Sequence, residues 1–208
     1  MKHVLETVYG HIYKCVNSLP KDFTVSDIAC QSGWLGTHCL TQGFKFVNFI
    51  DARPESFKQP PSNFKNWDFV QMDISQYDLF RNQINDFDVL LYCGHLYHSE
   101  DPYQMLKTIS ETKCKHLIIE SKTLDMNGIH LMAPPKIDYE IEPTHLSGLE
   151  YHPTKSELLI GRPNLNWTTK TLQELGFKIE SYATGVLDNV SYSQPNKAFP
   201  HYFIHAVR

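Results

Sequence analysis

The chain lacks any apolar run of about eighteen residues, the length that a membrane-spanning helix requires. Its first residues, MKHVLETVYGHIYK, lack the charged-then-apolar order of a secretory signal peptide. No internal repeat or low-complexity tract is visible. We therefore expect a cytoplasmic protein without a membrane partner, folded as one globular domain over residues 1–208.

Cysteine pairs and an excess of positive charge are also missing. The five cysteines are odd in number, widely spaced and without any CxxC pair, which predicts buried thiols instead of disulfides or a zinc site. The 19 lysines and arginines are outnumbered by 23 acidic residues, for a formal net charge of -4. A large contact with a phosphate backbone is disfavoured by this balance, so nucleic acid is a secondary alternative as partner.

Five short apolar segments rich in β-branched and aromatic residues predict strands. They are FTVSDIAC, FKFVNFID, NWDFVQMD, FDVLLYCG and HLIIESK. The nearly continuous apolar character of VLLYC and LIIE indicates strands buried on both faces, as in a parallel sheet covered by helices. The predicted fold class is therefore α/β.

Helices are predicted over residues 2–17, 33–43, 101–113 and 167–176. Asp101 followed by Pro102 is typical of a helix start, and Gly176 is typical of a helix end. After Gly176, FKIESYATG and PHYFIHAVR predict an antiparallel pair at the end of the sheet.

Residues 121–166 contain five prolines and little helical or strand periodicity. So long a connection in a compact domain predicts a lid or insertion that covers the substrate side, although a plain surface excursion is the alternative. Side chains able to hold a substrate in this segment are His130, Tyr139, Glu140, Glu142, His145, Tyr151 and His152.

The unit FTVSDIACQSGWLGTHCL predicts a strand, a turn and a helix opened by Gly33, and the next strand ends in Asp51. Ligands of open parallel sheets bind beyond the carboxyl ends of the strands, where a helix amino terminus faces them. Asp51 lies eighteen positions after Gly33, close to the offset at which a carboxylate accepts hydrogen bonds from ribose hydroxyls. The sequence therefore predicts a nucleoside site here.

Two nucleoside cofactors compete for this site. In the glycine frame of nicotinamide-dependent oxidoreductases, Gln31 replaces the first glycine before Gly33 and Gly36, and its side chain would crowd a diphosphate. An adenosyl-sulfonium cofactor has no phosphate and is positively charged, so the upstream Asp27 is acceptable. A small-molecule methyltransferase, an oxidoreductase and a non-catalytic partner protein that retains the fold stay open as functions.

Most of the chain resembles the class I S-adenosylmethionine-dependent methyltransferases. Asp27 to Trp34 is similar to their first motif, with Ala29 and Gln31 in place of two glycines. Asp51-Ala52-Arg53-Pro54-Glu55 resembles the ribose-binding strand end, and Gln71-Met72-Asp73-Ile74 the third strand end. FDVLLYCGHLYHSEDPYQML and GRPNLNWTTKTLQELGF resemble the branch that includes tRNA wobble-uridine carboxymethyltransferases and small relatives.

The resemblance implies a Rossmann-like three-layer sandwich, with a seven-stranded, mostly parallel sheet whose last strand is antiparallel. It implies S-adenosyl-L-methionine as cofactor, with tRNA as an alternative to a small-molecule acceptor. The implied cofactor residues are Asp27, Ala29, Cys30, Gly33 and Trp34 for methionine and ribose, Asp51 with Ala52 and Arg53 for ribose, Asp73 and Ile74 for adenine, and Cys93, Gly94 and His95 for methionine.

Methyl transfer is an in-line displacement that needs an aligned acceptor and, for some acceptors, one base. The resemblance places Tyr97 and His98 near the transferred group. His98 is our candidate base because an imidazole titrates near neutral pH, although it could instead cap backbone groups. Tyr97 orients the substrate or packs on the next helix. His95 and His98 lack a third ligand, so no metal is expected.

Overall fold

The computed structural model describes residues 8–99, 101–123, 129–132, 160–186 and 200–208. The strands are β1 (Thr24–Ile28), β2 (Phe46–Asp51), β3 (Trp67–Gln71), β4 (Val89–Cys93), β5 (His116–Lys122), β6 (Ile129–Met132), β7 (Ile160–Pro163), β8 (Lys178–Val186) and β9 (Pro200–Val207). The helices are α1 (Val8–Ser18), α2 (Trp34–Thr41), α3 (Tyr77–Ile84), α4 (Pro102–Ser110) and α5 (Leu165–Glu174).

Seven strands form one sheet in the order β3-β2-β1-β4-β5-β9-β8. Strands β1 to β5 pair in parallel, whereas β9 runs antiparallel to both of its neighbours, β5 and β8. The predicted α/β fold, with a mostly parallel seven-stranded sheet and an antiparallel last strand, is confirmed. The order reverses between β1 and β4, and such a switch point is where open sheets of this kind bind ligands.

Helices cover both faces of the sheet. On one face, Ile12 and Val16 of α1 are fully buried one helical turn apart and pack with Leu40 of α2. On the other, Leu106 and Ile109 of α4 pack against the sheet together with residues of α3 and α5. Both faces of β1, β4 and β5 are therefore buried, which explains their continuous apolar runs.

The predicted helix signals are confirmed. The Asp101 carboxylate accepts a hydrogen bond from the Gln104 N–H at 2.9 Å and begins α4 with Pro102 in its first turn. Gly176 follows α5 with φ +88°, and the Phe177 N–H closes the helix on the Leu172 carbonyl at 2.9 Å. The cysteines among the described residues are free, as predicted.

One helix, α3, and one pair of strands, β6 and β7, are additions to the sequence prediction. Helix α3 is only eight residues long and buries just Phe80 and Ile84, too short an apolar pattern to stand out. Within residues 121–166, which show little strand periodicity, β6 and β7 pair antiparallel from Ile129 opposite Pro163 to Met132 opposite Ile160. Their four-residue length conceals the alternation.

Residues 124–128 and 133–159 of the predicted lid lie outside the described residues. So do the substrate-holding side chains that the sequence indicated in this segment, including that of His130. Residues 2–7 of the predicted first helix also lie outside. No helix in the described ranges is long and apolar enough to cross a membrane.

Candidate active site

The turn between β1 and α2 holds left-handed backbone at three alternate residues. Ala29, Gln31 and Gly33 have φ angles of 54°, 48° and 71°. A Cβ at Gly33 would lie 2.7 Å from a ring carbon of Phe57 and 3.2 Å from one of Phe49, so only glycine fits there. Left-handed backbone favours glycine because a side chain adds steric strain. The turn thus keeps a glycine-type backbone where the sequence has Ala29 and Gln31.

Gln31→Gly is expected to stabilise the protein by about 0.5–1 kcal/mol, because it removes left-handed strain that outweighs the entropy glycine adds to the unfolded chain. Urea unfolding of both forms measures this difference. Gln42→Gly is the matched control, since Gln42 ends α2 with an ordinary right-handed φ of -81° and glycine should destabilise it. Equal effects of the two substitutions would contradict the assignment of strain to Gln31.

Asp27 joins this turn to the sheet. The Asp27 Oδ2 accepts a hydrogen bond from the Gly36 N–H at 2.8 Å, and a Cβ at Gly36 would lie 2.3 Å from a ring carbon of Phe49. Burial of the carboxyl raises the pKa of Asp27 to about 7, against the lowering effect of this hydrogen bond. Asp27 therefore holds the first turn of α2 against β1, and its contact with a cofactor stays a prediction.

Asp51 ends β2 on the opposite side of the turn and is 3% exposed. Its Oδ2 accepts a hydrogen bond from the Gln31 N–H at 2.8 Å, and its Oδ1 accepts from the Arg53 N–H at 2.9 Å. The Arg53 Nε lies 3.3 Å from the same Oδ1. The glycine-opened helix and the strand-end carboxylate are thus adjacent, as the sequence predicted. Oδ2 keeps a second lone pair for a ligand, whereas Oδ1 already accepts from both the Arg53 N–H and its Nε–H.

A small, partly open pocket lies at these strand ends. It lies at the carboxyl ends of β1, β2 and β3, and His95 of the turn after β4 forms part of its wall. Its lining residues are Ala29, Asp51, Ala52, Arg53, Met72, Asp73, Ile74 and His95. All except Met72 were predicted cofactor residues, and Met72 lies in the Gln71-Met72-Asp73-Ile74 motif that pointed to this strand end.

His95 enters the pocket from the turn after β4. Its Nδ1 lies 2.9 Å from the Tyr92 hydroxyl, and its Nε2 is buried without a hydrogen-bond partner among the described residues. Burial lowers the pKa of His95 to about 4, although the charges of Asp51 and Asp73 act in the opposite direction. The resemblance implied a contact with methionine, whereas the structure places His95 among the residues predicted for ribose and adenine.

Besides Asp27, five predicted cofactor residues lie outside the pocket lining, and three of them belong to the turn or the start of α2. Trp34 is 39% exposed, and its ring meets the edges of Tyr9 and Tyr13 of α1 at centroid distances of 5.1 and 5.8 Å. Cys30 is buried, which raises the pKa of its thiol. Gly33 shapes the turn, as described above. Their contacts with a cofactor stay predictions.

The other two residues, Cys93 and Gly94, lie at the end of β4 beside β5. The Cys93 thiol lies 3.8 Å from the Ile118 carbonyl, and burial raises its pKa well above the usual value. The Gly94 N–H donates to the Glu120 carbonyl at 3.0 Å, and the φ of Gly94 is +81°. These contacts extend the pairing of β4 with β5 and turn the chain towards His95.

Tyr97 and His98 follow in a 3-10 turn, Leu96–His98, beside the end of β5. Their rings lie 4.2 Å apart between centroids, and the Lys122 Nζ lies 5.4 Å from the Tyr97 ring. The His98 N–H donates to the His95 carbonyl at 2.7 Å and closes the turn. The residues predicted for the reacting group therefore share one edge of the sheet with the pocket.

Sequence analysis missed a buried acid–imidazole pair at this edge. The His201 Nδ1–H of β9 donates to the Glu120 Oε1 of β5, and the two side chains are 6% and 2% exposed. The ring of His201 meets that of Tyr97 edge-on, with centroids 6.5 Å apart. Only the register of β9 on β5, which places His201 opposite Lys122, brings this pair together. The spacing of the two residues in the sequence carries no signal for it.

Solved structures identify the fold to which this site belongs. An S-adenosylmethionine-dependent methyltransferase from Mesorhizobium loti aligns with a TM-score of 0.64 at 12% identity, over 97% of this chain and 98% of that chain. The chain has the fold of S-adenosylmethionine-dependent methyltransferases. No protein-family model and no curated protein matches the sequence.

Two further proteins with the methyltransferase fold were solved with a ligand. The 1,6-didemethyltoxoflavin-N1-methyltransferase of Burkholderia thailandensis, with its substrate and S-adenosylhomocysteine bound, aligns with a TM-score of 0.63 at 15% identity over 98% of this chain and 79% of that chain. The N-methyltransferase NodS of Bradyrhizobium japonicum, in complex with S-adenosylhomocysteine, gives 0.61 at 12% identity over 99% and 90%. The shared fold thus extends over nearly the whole chain.

In the part of the chain that the structure describes, no three His, Cys, Asp or Glu side chains are grouped so that they could hold a metal ion.

Proposed function

We propose that the protein is an S-adenosylmethionine-dependent methyltransferase that acts on a small-molecule acceptor. The observation that carries the proposal is one pocket that unites Ala29 of the left-handed turn with the strand-end carboxylates Asp51 and Asp73. Support comes from structures of the same fold solved with S-adenosylhomocysteine. The family branch that modifies tRNA is an alternative for the acceptor, carried only by resemblance.

The residues present fit an adenosine-containing cofactor. The carboxylate of Asp51 would accept hydrogen bonds from the ribose hydroxyls, and Asp73 with Ile74 would hold the adenine. One nitrogen of His95, a residue that lines this pocket, is buried without a hydrogen-bond partner among the described residues, which is a further sign of a missing polar ligand. The pocket therefore provides polar groups for each part of a nucleoside.

The charges of the site favour a cation over a diphosphate. Asp27 and Asp51 lie on either side of the turn, and Gln31 stands where dinucleotide-binding proteins need a glycine for close approach of the pyrophosphate. When bound, S-adenosylmethionine supplies an electrophilic methyl group on a positively charged sulfur. The Asp51 carboxylate favours such a charge and would repel phosphates. The Asp27 carboxyl, whose pKa is raised to about 7, adds to this effect only in the fraction of molecules in which it is ionised.

The residues beside Tyr97 would act on the acceptor. Tyr97 and His98 would orient it, and His98 would accept its proton where the acceptor carries one. The buried Glu120 fixes the orientation of His201, so a second imidazole of set orientation lies next to Tyr97. A small acceptor is favoured by the negative net charge of the chain and by the 1,6-didemethyltoxoflavin bound in one of the proteins of similar fold.

A thermal-shift assay tests the proposal. S-adenosylhomocysteine at about 100 times its Kd should raise the melting temperature by about 5–10 °C, because a ligand that binds only the folded state stabilises it by about 2.7 kcal/mol. NAD and NADP are the controls and should leave the melting temperature unchanged. A shift with either dinucleotide would favour an oxidoreductase, and no shift with any of the three would favour a non-catalytic protein that retains the fold.

A further inference from the structure

We propose that His95 is a specificity residue for the nucleoside, donating a hydrogen bond from its Nε2–H to a ring nitrogen of the purine. This inference rests on the proposed function and deepens it. It assigns to His95 a place in the adenosine part of the site and a fixed tautomer. Both follow from contacts in the structure.

The tautomer follows from Tyr92. This side chain is fully buried at the end of β4, and its hydroxyl has the His95 Nδ1 as its hydrogen-bond partner within the described part of the chain, at 2.9 Å. A buried hydroxyl needs an acceptor for its hydrogen, so Tyr92 donates and Nδ1 accepts. A neutral imidazole has one N–H, which must then be on Nε2.

The Nε2 atom is one of three buried side-chain polar atoms that lack a partner among the described residues. The other two belong to Ser26 and Asn48, which lie inside β1 and β2 and do not line the pocket. Buried polar groups are almost always hydrogen-bonded, and His95 lines the pocket, so its orphaned Nε2 marks the place of an acceptor that the ligand would bring. His95 is 9% exposed, which excludes bulk water as a full substitute.

The surroundings of His95 select the kind of acceptor. Burial keeps the imidazole neutral, because it lowers the pKa of His95 to about 4 against the opposing charges of Asp51 and Asp73 and with the help of Arg53. The carboxylates of Asp51 and Asp73 outnumber the one cation, Arg53, in the lining of the pocket and would repel an anionic acceptor, so the partner of Nε2 is uncharged. The predicted ribose residue Asp51 and the predicted adenine residue Asp73 both line the pocket with His95, so a purine ring nitrogen is the uncharged acceptor that fits this place.

Calorimetric titration with S-adenosylhomocysteine at pH 7.5 tests the role of the donor. His95→Phe keeps a flat ring without the N–H and should weaken binding about ten-fold or more, since the purine nitrogen would be buried without a donor. His95→Gln places an amide N–H near the position of Nε2 and should restore most of the affinity. Tyr92→Phe should weaken binding less than His95→Phe, because it releases the tautomer and leaves the imidazole in place.

Two measurements on the unsubstituted protein keep the test independent of folding in the variants. The 3-deaza or the 7-deaza analogue of S-adenosylhomocysteine should bind about ten-fold more weakly than the parent compound, and nitrogen-detected NMR should show the Nε2–H tautomer of His95 in the free protein. An Nδ1–H tautomer, or equal affinity of the wild type and a folded His95→Phe variant, overturns the inference alone. Absence of any wild-type binding overturns the proposed function, and the inference with it.

Discussion

Replacing Asp51 by alanine is expected to remove measurable binding of S-adenosylhomocysteine, with a loss in affinity of at least about 100-fold. The carboxylate would accept hydrogen bonds from two ribose hydroxyls, one at the open lone pair of Oδ2 and one at Oδ1 in place of the 3.3 Å contact with the Arg53 Nε. Bonds to a charged group contribute about 1.5–3 kcal/mol each. Isothermal titration calorimetry measures the loss. Unchanged calorimetric affinity in Asp51→Ala would take Asp51 out of the site.

Asp51 also has structural partners, which the controls must separate from ligand binding. The alanine variant leaves the Gln31 N–H without its acceptor and so disturbs the turn itself. Asp51→Asn keeps one acceptor oxygen and removes the charge, so it should retain more of the stability while still losing most of the affinity. Glu55→Ala is the matched control, since Glu55 is an exposed carboxylate on the same strand-end turn and should bind like the wild type.

The sequence was sufficient to predict features that depend on short stretches of chain. The predicted apolar segments are strands in the structure, Asp101 marks the start of α4, and Gly176 marks the end of α5. Such signals are readable because hydrophobic patterns and helix caps involve only a few neighbouring residues. Asp51 was predicted next to the turn because strand ends in a parallel sheet meet at one edge. Seven of the eight pocket-lining residues were predicted on this basis and on the resemblance, with Met72 as the exception.

What the sequence could not show depends on residues distant in the chain or on backbone angles. The Glu120–His201 pair joins positions 81 apart and exists only through the register of β9 on β5. The left-handed angles at Ala29 and Gln31 contradict the preference of both residue types, so no propensity indicates them. The tautomer of His95 depends on its hydrogen bond with the Tyr92 hydroxyl, and nothing in the sequence indicates that these two side chains are in contact.

Substitution of His201 by leucine is expected to destabilise the protein by about 3 kcal/mol or more, because it removes the partner of a buried carboxylate. Glu120 is 1% exposed, so without the imidazole its carboxylate would be buried with neither a protein partner nor solvent to stabilise its charge. Urea unfolding of the variant and the wild type measures the difference. The position lies in the core of the β5–β9 pair, where His201 is the salt-bridge partner of Glu120 among the described residues.

A double substitution shows whether the lost partner, and not the altered packing, causes this effect. Glu120→Leu combined with His201→Leu removes both polar groups, and replacing a buried ion pair by apolar side chains is often neutral or stabilising. The double variant should therefore be more stable than His201→Leu alone. If it is less stable than the single variant, the cost arises from packing, and Glu120 does not need His201 as its partner. His201 lies next to Tyr97, one of the residues proposed to orient the acceptor. A stable double variant is therefore a folded protein that lacks the His201 imidazole at the proposed acceptor site.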